Sequence, residues 1–370
     1  MFHTALSCGL NINMVDIAVI GAGIAGLSAA WHLRRQGHRV RIFERNYKPG
    51  GRMNSRRKAG LIVDHGDRFI HKNSPVIREL VIDCGLHGES QPLHKPICMA
   101  QPDGTFIEET RAEDQDAMVF ADGMLVLPEA LRRTLGGFYS IAVTAIEYDE
   151  VLEKFVIRTE PPLRITETQA DAVVVACAAP EALRISKPIH GFMHDEFLKQ
   201  LAQVQYTKCL TLIAALNATQ LKENIYGLYP PQTPNALLKW IAFEDQKCLG
   251  REVEGWHSIV AHATPKASRK MWELDEDEVI KKMYGEIRNF VDELPEKWRW
   301  ARIKRWAISR LMDENSILNA DKFPAAKDDG LVAFCGDYRI GDGVESAALS
   351  GKEASERLAA RIKKKLPDME

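Results

Sequence analysis

The fold is decided by the stretch Val15-Asp-Ile-Ala-Val-Ile-Gly-Ala-Gly-Ile-Ala-Gly26. Residues 15–20 are a short apolar run rich in β-branched side chains, and residues 24–36 have the alanine and leucine content of a helix that packs on a sheet. Gly37 ends that helix, and residues 39–44 then alternate polar and apolar side chains as a second strand does. The sequence therefore predicts a βαβ unit, which is typical of a Rossmann-type α/β fold.

Three glycines of this stretch stand where a dinucleotide requires them, after a strand and at the start of a helix. Gly21 allows the tight turn, Gly23 admits a pyrophosphate close to the backbone, and Gly26 lets the helix approach the sheet. Glu44 follows Gly26 by eighteen residues, at the end of the second strand, where a carboxylate accepts hydrogen bonds from ribose hydroxyls. A purely structural glycine turn is the alternative, but the flanking elements and the acidic residue favour a bound adenine dinucleotide.

The overall composition indicates a globular protein of two domains. The 370 residues exceed what one ordinary core needs, 45% of them are hydrophobic and 27% are charged, and the formal net charge is -2. This charge creates no broad field that would attract nucleic acid or an anionic membrane, and no window approaches eighteen consecutive apolar residues. We therefore expect a small-molecule substrate and no nucleic acid or membrane partner.

The N-terminal residues and the cysteines indicate the cellular compartment in which we expect the protein. Residues 1–13 lack the basic start and the apolar run of a secretory signal, so we expect a cytoplasmic location and interpret them as a disordered tail or an overextended start. The seven cysteines are scattered and show neither metal-ligand nor redox-motif spacing. We expect them to be reduced and mostly buried, and we expect no metal site.

The rest of the chain indicates that the first domain is interrupted by a second one. Residues 46–57 turn to Gly, Pro and Arg, which is typical of a loop or a helix start, and residues 185–322 carry a mixed pattern with six of the seven tryptophans. Further elements are predicted as a helix over residues 77–84 and strands over residues 141–146, 155–158, 170–176 and 331–335. The predicted domains are a dinucleotide-binding domain of residues 14–75, 119–184 and 325–366, and a mixed α+β substrate domain of residues 76–118 and 185–324.

A second glycine-rich segment, Gly50-Gly51-Arg52-Met53, follows Glu44 closely and favours FAD over NAD. Its two glycines bring the backbone close to a further part of the cofactor, and Arg52 can neutralise a phosphate or pair with a carboxylate. An arginine in an ordinary turn is the alternative interpretation.

These segments together resemble the start of FAD-dependent amine oxidases, and of renalases within that superfamily. The resemblance continues over most of the chain through the segments Asp64-His-Gly66 with Phe69, Asp122-Gly-Met124, Trp240-Ile-Ala-Phe243, Val260-Ala-His-Ala-Thr264, Cys335-Gly-Asp337, Gly343-Val-Glu-Ser-Ala347 and Leu349-Ser-Gly351. It implies a Rossmann-type FAD-binding domain with an inserted mixed α+β substrate domain. We expect FAD to be noncovalent, because Cys335 lies in a predicted buried strand and not in an exposed loop.

The resemblance also implies which residues hold FAD. The three glycines lie at the pyrophosphate, Glu44 at the adenosine ribose, and Asp337 at the ribityl chain or the pyrophosphate, while Val143 resembles a position whose backbone meets adenine. The start of the last helix would offer free N–H groups where reduced flavin carries negative charge. The residues predicted to bind FAD are Gly21, Gly23, Ile24, Ala25, Gly26, Glu44, Arg45, Gly51, Arg52, Met53, His65, Gly66, Val143, Gly336, Asp337, Val344 and Glu345.

Three residues are predicted to face the substrate or to act in catalysis, namely His262, Arg68 and Trp306. His262 lies in an apolar, strand-like stretch and resembles a renalase histidine, but a satisfied core histidine is the alternative. Trp306 follows Arg305 in a pair that resembles a family Arg-Trp pair, and it is either an aromatic wall beside the flavin or a core tryptophan. Lys247 matches a basic position of the family, and we interpret it as a surface lysine.

The residues after Asp64-His-Gly66 depart from the renalase pattern. Renalases tend to continue with a small residue and glutamine, whereas this chain has Asp67 and Arg68. If Arg68 faces the isoalloxazine, the site has a fixed cation where the family has an amide. Such a cation would favour an anionic substrate or raise the reduction potential of the flavin.

The function implied by the resemblance is the oxidation of a reduced nicotinamide dinucleotide, an isomer of NADH or NADPH, by hydride transfer to flavin N5. Molecular oxygen would then reoxidise the flavin and yield hydrogen peroxide. An amine or amino-acid oxidase is the main alternative, and it needs an unprotonated amine at the flavin. A non-catalytic, flavin-binding redox sensor is a further alternative, and the Gly-Asp segment near the C-terminus disfavours a plain NAD-dependent dehydrogenase.

Overall fold

The structure is a computed structural model that describes residues 14–101, 105–108, 114, 116–160, 167–217, 224–291, 294–327 and 330–365. The predicted N-terminal tail, residues 1–13, lies outside these described residues. The strands are β1 (Asp16–Ile20), β2 (Arg39–Glu44), β3 (Ser55–Lys58), β4 (Leu61–Asp64), β5 (Ile70–His71), β6 (Ser90–Pro92), β7 (Ile97–Ala100), β8 (Phe106–Glu108), β9 (Ala117–Phe120), β10 (Phe138–Tyr139), β11 (Val143–Asp149), β12 (Lys154–Thr159), β13 (Glu167–Ala170), β14 (Ala172–Val175), β15 (Cys209–Asn217), β16 (Gly227–Tyr229), β17 (Leu238–Phe243), β18 (Trp256–Ala263), β19 (Trp300–Trp306) and β20 (Val332–Phe334). The helices are α1 (Ile24–Arg35), α2 (Pro75–Asp83), α3 (Val126–Leu135), α4 (Ala179–Ile185), α5 (Asp195–Gln203), α6 (Pro265–Lys270), α7 (Glu276–Ile287), α8 (Asp337–Ile340) and α9 (Val344–Lys365).

A five-stranded parallel sheet in the order β10-β2-β1-β14-β20 forms the first layer of the fold. Its central strand β1 and the neighbouring strand β14 are almost entirely buried, which explains why both read as continuous apolar runs. The predicted βαβ unit is confirmed, with β1, α1 and β2 within a residue of the expected limits. The Rossmann-type fold class is therefore correct.

Helices α1 and α9 cross at very short distance on one face of this sheet. A Cβ atom at Gly351 of α9 would lie 2.1 Å from the backbone oxygen of Ala25, so only glycine allows the approach. The Ser28 hydroxyl of α1 donates a hydrogen bond to the Ala348 carbonyl of α9 at 2.7 Å. This crossing brings the N-terminal ends of both helices to the same edge of the sheet.

The remaining described strands form four sheets. Two are small, the pair β3-β4 and the sheet β5-β9-β6, and the other two are an antiparallel meander, β11-β12-β13, and a seven-stranded sheet in the order β19-β15-β18-β17-β16-β7-β8. The meander confirms the strands predicted after residue 140. The large sheet takes strands from both stretches that we predicted for the substrate domain, while the domain limits themselves stay a prediction. One face of this sheet packs against α7 through residues such as Leu212 and Ile280.

The segment after Glu44 differs from its prediction in one respect. Residues 46–57 were expected to be loop or helix start, but Ser55 begins strand β3, which pairs with β4 in antiparallel register. Met53 is buried in the main core, and Ser55 is buried where its hydroxyl accepts a hydrogen bond from the Leu125 backbone N–H at the start of α3. Among the described helices, none is both long enough and apolar enough to span a bilayer.

Candidate functional site

A cavity of about 1260 Å³ opens at the carboxyl ends of the parallel strands, between that sheet and the seven-stranded sheet. It exceeds the roughly 300–1,000 Å³ of pockets for drug-sized ligands, so it has room for a dinucleotide and a second molecule. Most residues predicted to bind FAD line it. Those residues are Gly21, Gly23, Ile24, Ala25, Glu44, Arg45, Gly51, Arg52, Met53, His65, Val143, Gly336, Asp337 and Val344, and Trp306 lines it as well.

The glycine turn at the start of α1 leaves space directly above the helix end. A Cβ atom at Gly23 would meet nothing within 4 Å, whereas one at Gly26 would lie 2.0 Å from the Gly21 carbonyl oxygen. Gly26 therefore packs helix against strand, and Gly23 leaves the backbone open to a ligand. The first turn of α1 contains no acidic residue, so its free N–H groups can donate hydrogen bonds to a phosphate.

The Glu44 carboxylate is buried at the cavity edge and is fixed by three donors. Its Oε2 accepts a hydrogen bond from the Ala22 backbone N–H at 2.8 Å, and its Oε1 accepts from the backbone and side-chain nitrogens of Asn46. The carboxylate thereby joins the glycine turn to the end of β2. An acceptor held in this way is suited to a ribose hydroxyl.

Arg52 pairs with a carboxylate, which was one of the two roles its position suggested. Its Nη1 lies 2.5 Å from Asp337 Oδ2 and 2.8 Å from the Ser309 carbonyl oxygen. Asp337 Oδ1 in turn accepts from the Tyr206 hydroxyl at 3.0 Å. The pair links the segment after β2 to the segment after β20. It therefore fixes the distance between these two segments of the cavity lining.

His65, directly after β4, and Trp306, at the end of β19, form an aromatic pair that lines the cavity. Their ring centroids are 5.6 Å apart with the planes 29° from parallel, and Lys304 lies 4.7 Å from the centroid of Trp306. Burial, with a contribution from Lys304, lowers the pKa of His65 to about 4. The imidazole is therefore neutral at physiological pH, and Trp306 is a cavity wall residue and not a plain core tryptophan.

Five predicted site residues are not among those that line the cavity: Gly26, Gly66, Arg68, His262 and Glu345. Gly66 lies against the Arg52 backbone, since a Cβ atom there would come within 1.8 Å of the Arg52 carbonyl oxygen. Glu345 accepts a hydrogen bond from the His71 backbone N–H at 2.8 Å. The roles predicted for these residues stay predictions.

Arg68 lies in an aromatic and acidic enclosure behind the cavity wall. Its guanidinium is 4.4 Å from the ring centroid of Trp240, and it donates a hydrogen bond to the Tyr229 hydroxyl at 2.7 Å. Asp114 Oδ1 is 3.5 Å from the same guanidinium. The charge of Arg68 is thus partly compensated by the protein itself.

Lys247 belongs to a buried ion network, so its interpretation as a surface lysine is wrong. We call Asp64, Glu244, Lys247 and Arg251 the paired network; their side chains are at most 1% exposed. Asp64 Oδ2 is 2.7 Å from Lys247 Nζ and 2.6 Å from Arg251 Nη2, and Glu244 Oε2 is 2.6 Å from Arg251 Nη1. Two carboxylates and two cations balance one another out of contact with water.

The remaining lone pairs of this network are also used. Asp64 Oδ1 accepts from the Ser55 hydroxyl and from the Met124 backbone N–H, and Tyr226 donates to Glu244 Oε1 at 3.3 Å. Burial alone would raise the pKa of Asp64, but Arg251 and Lys247 outweigh it and hold that pKa well below its ordinary value. The network fastens β4, and with it His65, to the large sheet.

Several residues of the site were not found from the sequence. The cavity mouth is lined by Arg302 and Lys304 of β19 and by Arg310 beyond it, all exposed. The alternation of basic and other residues in β19 was a usable signal for a charged strand face. Glu244 directly after the apolar strand β17 was a similar signal for a buried charge, but its partners are distant in sequence.

Comparison with known protein families now adds to this geometry. Residues 19–83 match the family described as NAD(P)-binding Rossmann-like domain, and residues 99–359 match the family described as flavin containing amine oxidoreductase. The chain belongs to the flavin containing amine oxidoreductase family. Its cofactor is FAD.

The chain is similar to a curated protein in part of its sequence and to solved structures in its fold. A putative flavin-containing monoamine oxidase of Mycobacterium tuberculosis is 41% identical over 81 residues, which is 22% of this chain and 17% of that protein. The chain thus matches less than a fifth of the length of this curated relative. The crystal structures of a putative protoporphyrinogen oxidase from Exiguobacterium and of cyclohexylamine oxidase from Brevibacterium oxydans share the fold, with TM-scores of 0.72 and 0.72. They are 13% and 14% identical, with 93% and 95% of this chain and 98% and 100% of theirs covered.

The residues present fit FAD. The open space at Gly23, the fixed Glu44 carboxylate and the glycine pair at Gly50 and Gly51 lie along one continuous cavity. Gly51 approaches Gly23 closely, because a Cβ atom on it would lie 3.6 Å from the Gly23 Cα. Both glycine-rich segments therefore border the same space, which suits a pyrophosphate between them.

Proposed function

We propose that this protein is an FAD-dependent oxidase that takes hydride from a reduced nicotinamide dinucleotide. The observation that carries the proposal is the charge of the cavity wall away from the glycine turns. Arg302, Lys304 and Arg310 line that wall, and two acids line the cavity beside them. Glu276 accepts a hydrogen bond from the Ile303 backbone N–H at 2.8 Å, and Asp342 accepts one from the Leu311 backbone N–H at 3.1 Å, so the wall has more cations than carboxylates. Such a wall attracts the phosphates of a dinucleotide and repels a protonated amine.

Bound FAD would supply the acceptor for the hydride and the route by which two electrons, with two protons, reach molecular oxygen to give hydrogen peroxide. The protein's own groups contribute placement. Gly23, Glu44 and the Arg52–Asp337 pair hold the dinucleotide, and the rings of His65 and Trp306 offer a flat apolar surface for a planar donor ring. A dihydronicotinamide loses hydride directly, so no protein base is required, and His262 would orient the substrate.

We also propose that FAD is noncovalent and that the protein works in a reducing compartment such as the cytoplasm. Cys335 is fully buried in the main core, and burial raises the pKa of its thiol to about 12, so it is a poor nucleophile toward a flavin. The six described cysteines are free, which fits a reducing compartment.

An amine or amino-acid oxidase is the second candidate. It is favoured by the Trp306 ring in the cavity lining, because the face of a tryptophan ring can hold an amine substrate. A redox sensor would bind FAD in the same cavity without turnover.

An anaerobic titration of the purified, FAD-loaded protein separates these functions. Isomers of dihydronicotinamide dinucleotides are added in one series and a panel of primary amines and amino acids in another, while the visible flavin absorbance is followed. Bleaching by the nicotinamide isomers, with peroxide released when air is admitted, is the expected result. Bleaching by amines alone would contradict the proposal in favour of the second candidate, and a flavin that neither series bleaches would favour a sensor.

A further inference from the structure

Cations lie on the cavity side of the seven-stranded sheet without a matching set of carboxylates. We call Lys239, His262 and Arg310 the cation cluster. His262 of β18 pairs with Thr211 of β15, and Ile213, two residues further along β15, lines the cavity. Because alternate residues of a strand share one face, His262 and Thr211 lie on the same side of the sheet as Ile213. Arg310 lines the cavity directly.

Lys239 reaches this side through an irregularity in β17. Leu238 pairs with Ala263 and Trp240 pairs with His262, so Lys239 is an extra residue inserted between two paired positions. Such a bulge redirects a side chain and is common next to functional sites. The Lys239 ammonium is half-buried and makes no hydrogen bond or ion pair with any residue that the structure describes.

The other two members of the cluster also have unused donors or acceptors. The Nε2 atom of His262 is buried and has no hydrogen-bond partner among the described residues. The Arg310 guanidinium likewise has no hydrogen bond or ion pair within the described part of the chain. For the buried Nε2 atom of His262 the missing partner costs about 1–3 kcal/mol, which a hydrogen bond to a ligand would recover. The exposed Arg310 guanidinium is available to a ligand without such a cost.

The charges around the cluster repel one another. Burial lowers the pKa of His262 well below its ordinary value, and Lys239, Arg68 and Arg310 lower it further. The nearby carboxylate of Asp114 is already within 3.5 Å of Arg68. The Asp342 carboxylate offsets part of the charge of Lys239 and Arg310, and it accepts a hydrogen bond from the Leu311 backbone N–H at 3.1 Å. One carboxylate does not balance both cations, so an added anion fits this group of charges.

We propose that the cation cluster binds an oxyanion of the substrate, a carboxylate or a phosphate. Lys239 and Arg310 supply charge, and His262 Nε2 supplies a directed hydrogen bond. The anion thereby holds the reacting end of the substrate beside the His65–Trp306 pair. The proposal rests on the proposed function in one respect, namely that the oxyanion belongs to the electron donor. Binding of an oxyanion can be measured without any flavin reduction, so the subsite can be tested separately from the function.

Calorimetric titration of the FAD-loaded protein with inorganic phosphate and, separately, with benzoate tests the subsite. We expect at least one of the two anions to bind. Binding of phosphate would indicate a substrate that carries a phosphate, and binding of benzoate would indicate one that carries a carboxylate. Lys239→Met removes the ammonium and keeps the side-chain length, so it should weaken binding by about tenfold or more, as loss of a charge-assisted hydrogen bond does.

Two further variants make the titration specific. Lys239→Arg retains the cation and should bind within about threefold of the native protein. Lys266→Met is the matched control, because Lys266 of α6 is exposed and donates only to neighbouring groups, including the Pro234 carbonyl at 2.8 Å. It should bind the anion as the native protein does. Native protein that binds neither anion, or Lys239→Met protein that binds as tightly as the native, would overturn the proposal.

The same titration separates failure of the subsite from failure of the proposed function. Anion binding that depends on Lys239, in a protein that no nicotinamide isomer reduces, supports the subsite and contradicts the proposed function. Reduction by nicotinamide isomers, with anion binding unchanged in Lys239→Met, supports the function and contradicts the subsite.

Discussion

The charged residues at the two ends of β17 differ in whether they have ion-pair partners. Glu244, directly after the strand, belongs to the paired network, in which each carboxylate meets two cations within 3.5 Å. Lys239, near the start of the strand, belongs to the cation cluster and has no ion pair among the described residues. The ion pairs of the paired network attach β4 to the seven-stranded sheet. The cations of the cation cluster lie beside the cavity without such pairs, so they are suited to binding a ligand.

Breaking the paired network should have the largest effect. Arg251→Met would leave Asp64 and Glu244 buried with fewer cations, and removal of one partner of a buried ion pair costs about 3–5 kcal/mol of unfolding free energy. Denaturant unfolding of the FAD-loaded protein, with Lys266→Met as control, measures this loss. A loss below about 1 kcal/mol would mean that the network does not hold β4 in place.

Acid should destabilise the protein through His65 at a higher pH than through Asp64 of the paired network. Burial lowers the pKa of His65 from its ordinary value of 6.5 to about 4 in the folded protein, so the folded state binds fewer protons than the unfolded state and stability decreases as the pH falls below about 6.5. The decrease should level off near pH 4 after about 3 kcal/mol. The Asp64 carboxylate, whose pKa is lowered, loses its contribution only below its ordinary range near 3.8.

The His65→Gln variant tests the assignment of this acid effect. Its unfolding free energy, measured against pH in the FAD-loaded protein, should be flatter than that of the native protein between pH 6.5 and 4. An unchanged slope would assign the effect to other groups, with His262 the next to test because its pKa is also lowered.

A member at the edge of the paired network should have a smaller effect. Tyr226→Phe removes the hydroxyl that donates to Glu244 Oε1 at 3.3 Å and leaves the four charges intact. We expect a loss of about 1 kcal/mol of unfolding free energy, typical of one hydrogen bond. A loss as large as that of Arg251→Met would show that the charges depend on Tyr226 for their arrangement.

The parts of this protein that the sequence predicted are those whose signals are local. The βαβ unit, Gly23 and Glu44 lie within a short stretch whose spacing reflects strand and helix geometry, and Glu44 indeed contacts the glycine turn. Lys247 was misassigned because its partner Asp64 is 183 residues away, and local polarity carries no sign of such a contact. The role of Lys239 could not be predicted from the sequence, because only the folded structure shows whether a lysine has an ion-pair partner.

The most direct test of this account compares the same substitution at two lysines of one sheet. Lys247→Met and Lys239→Met are unfolded by denaturant side by side as FAD-loaded proteins without added anion. We expect Lys247→Met to lose several kcal/mol, and Lys239→Met to change by less than about 1 kcal/mol, because only the first leaves a buried carboxylate short of a partner. Equal losses would contradict the account, since Lys239 would then stabilise the fold as Lys247 does.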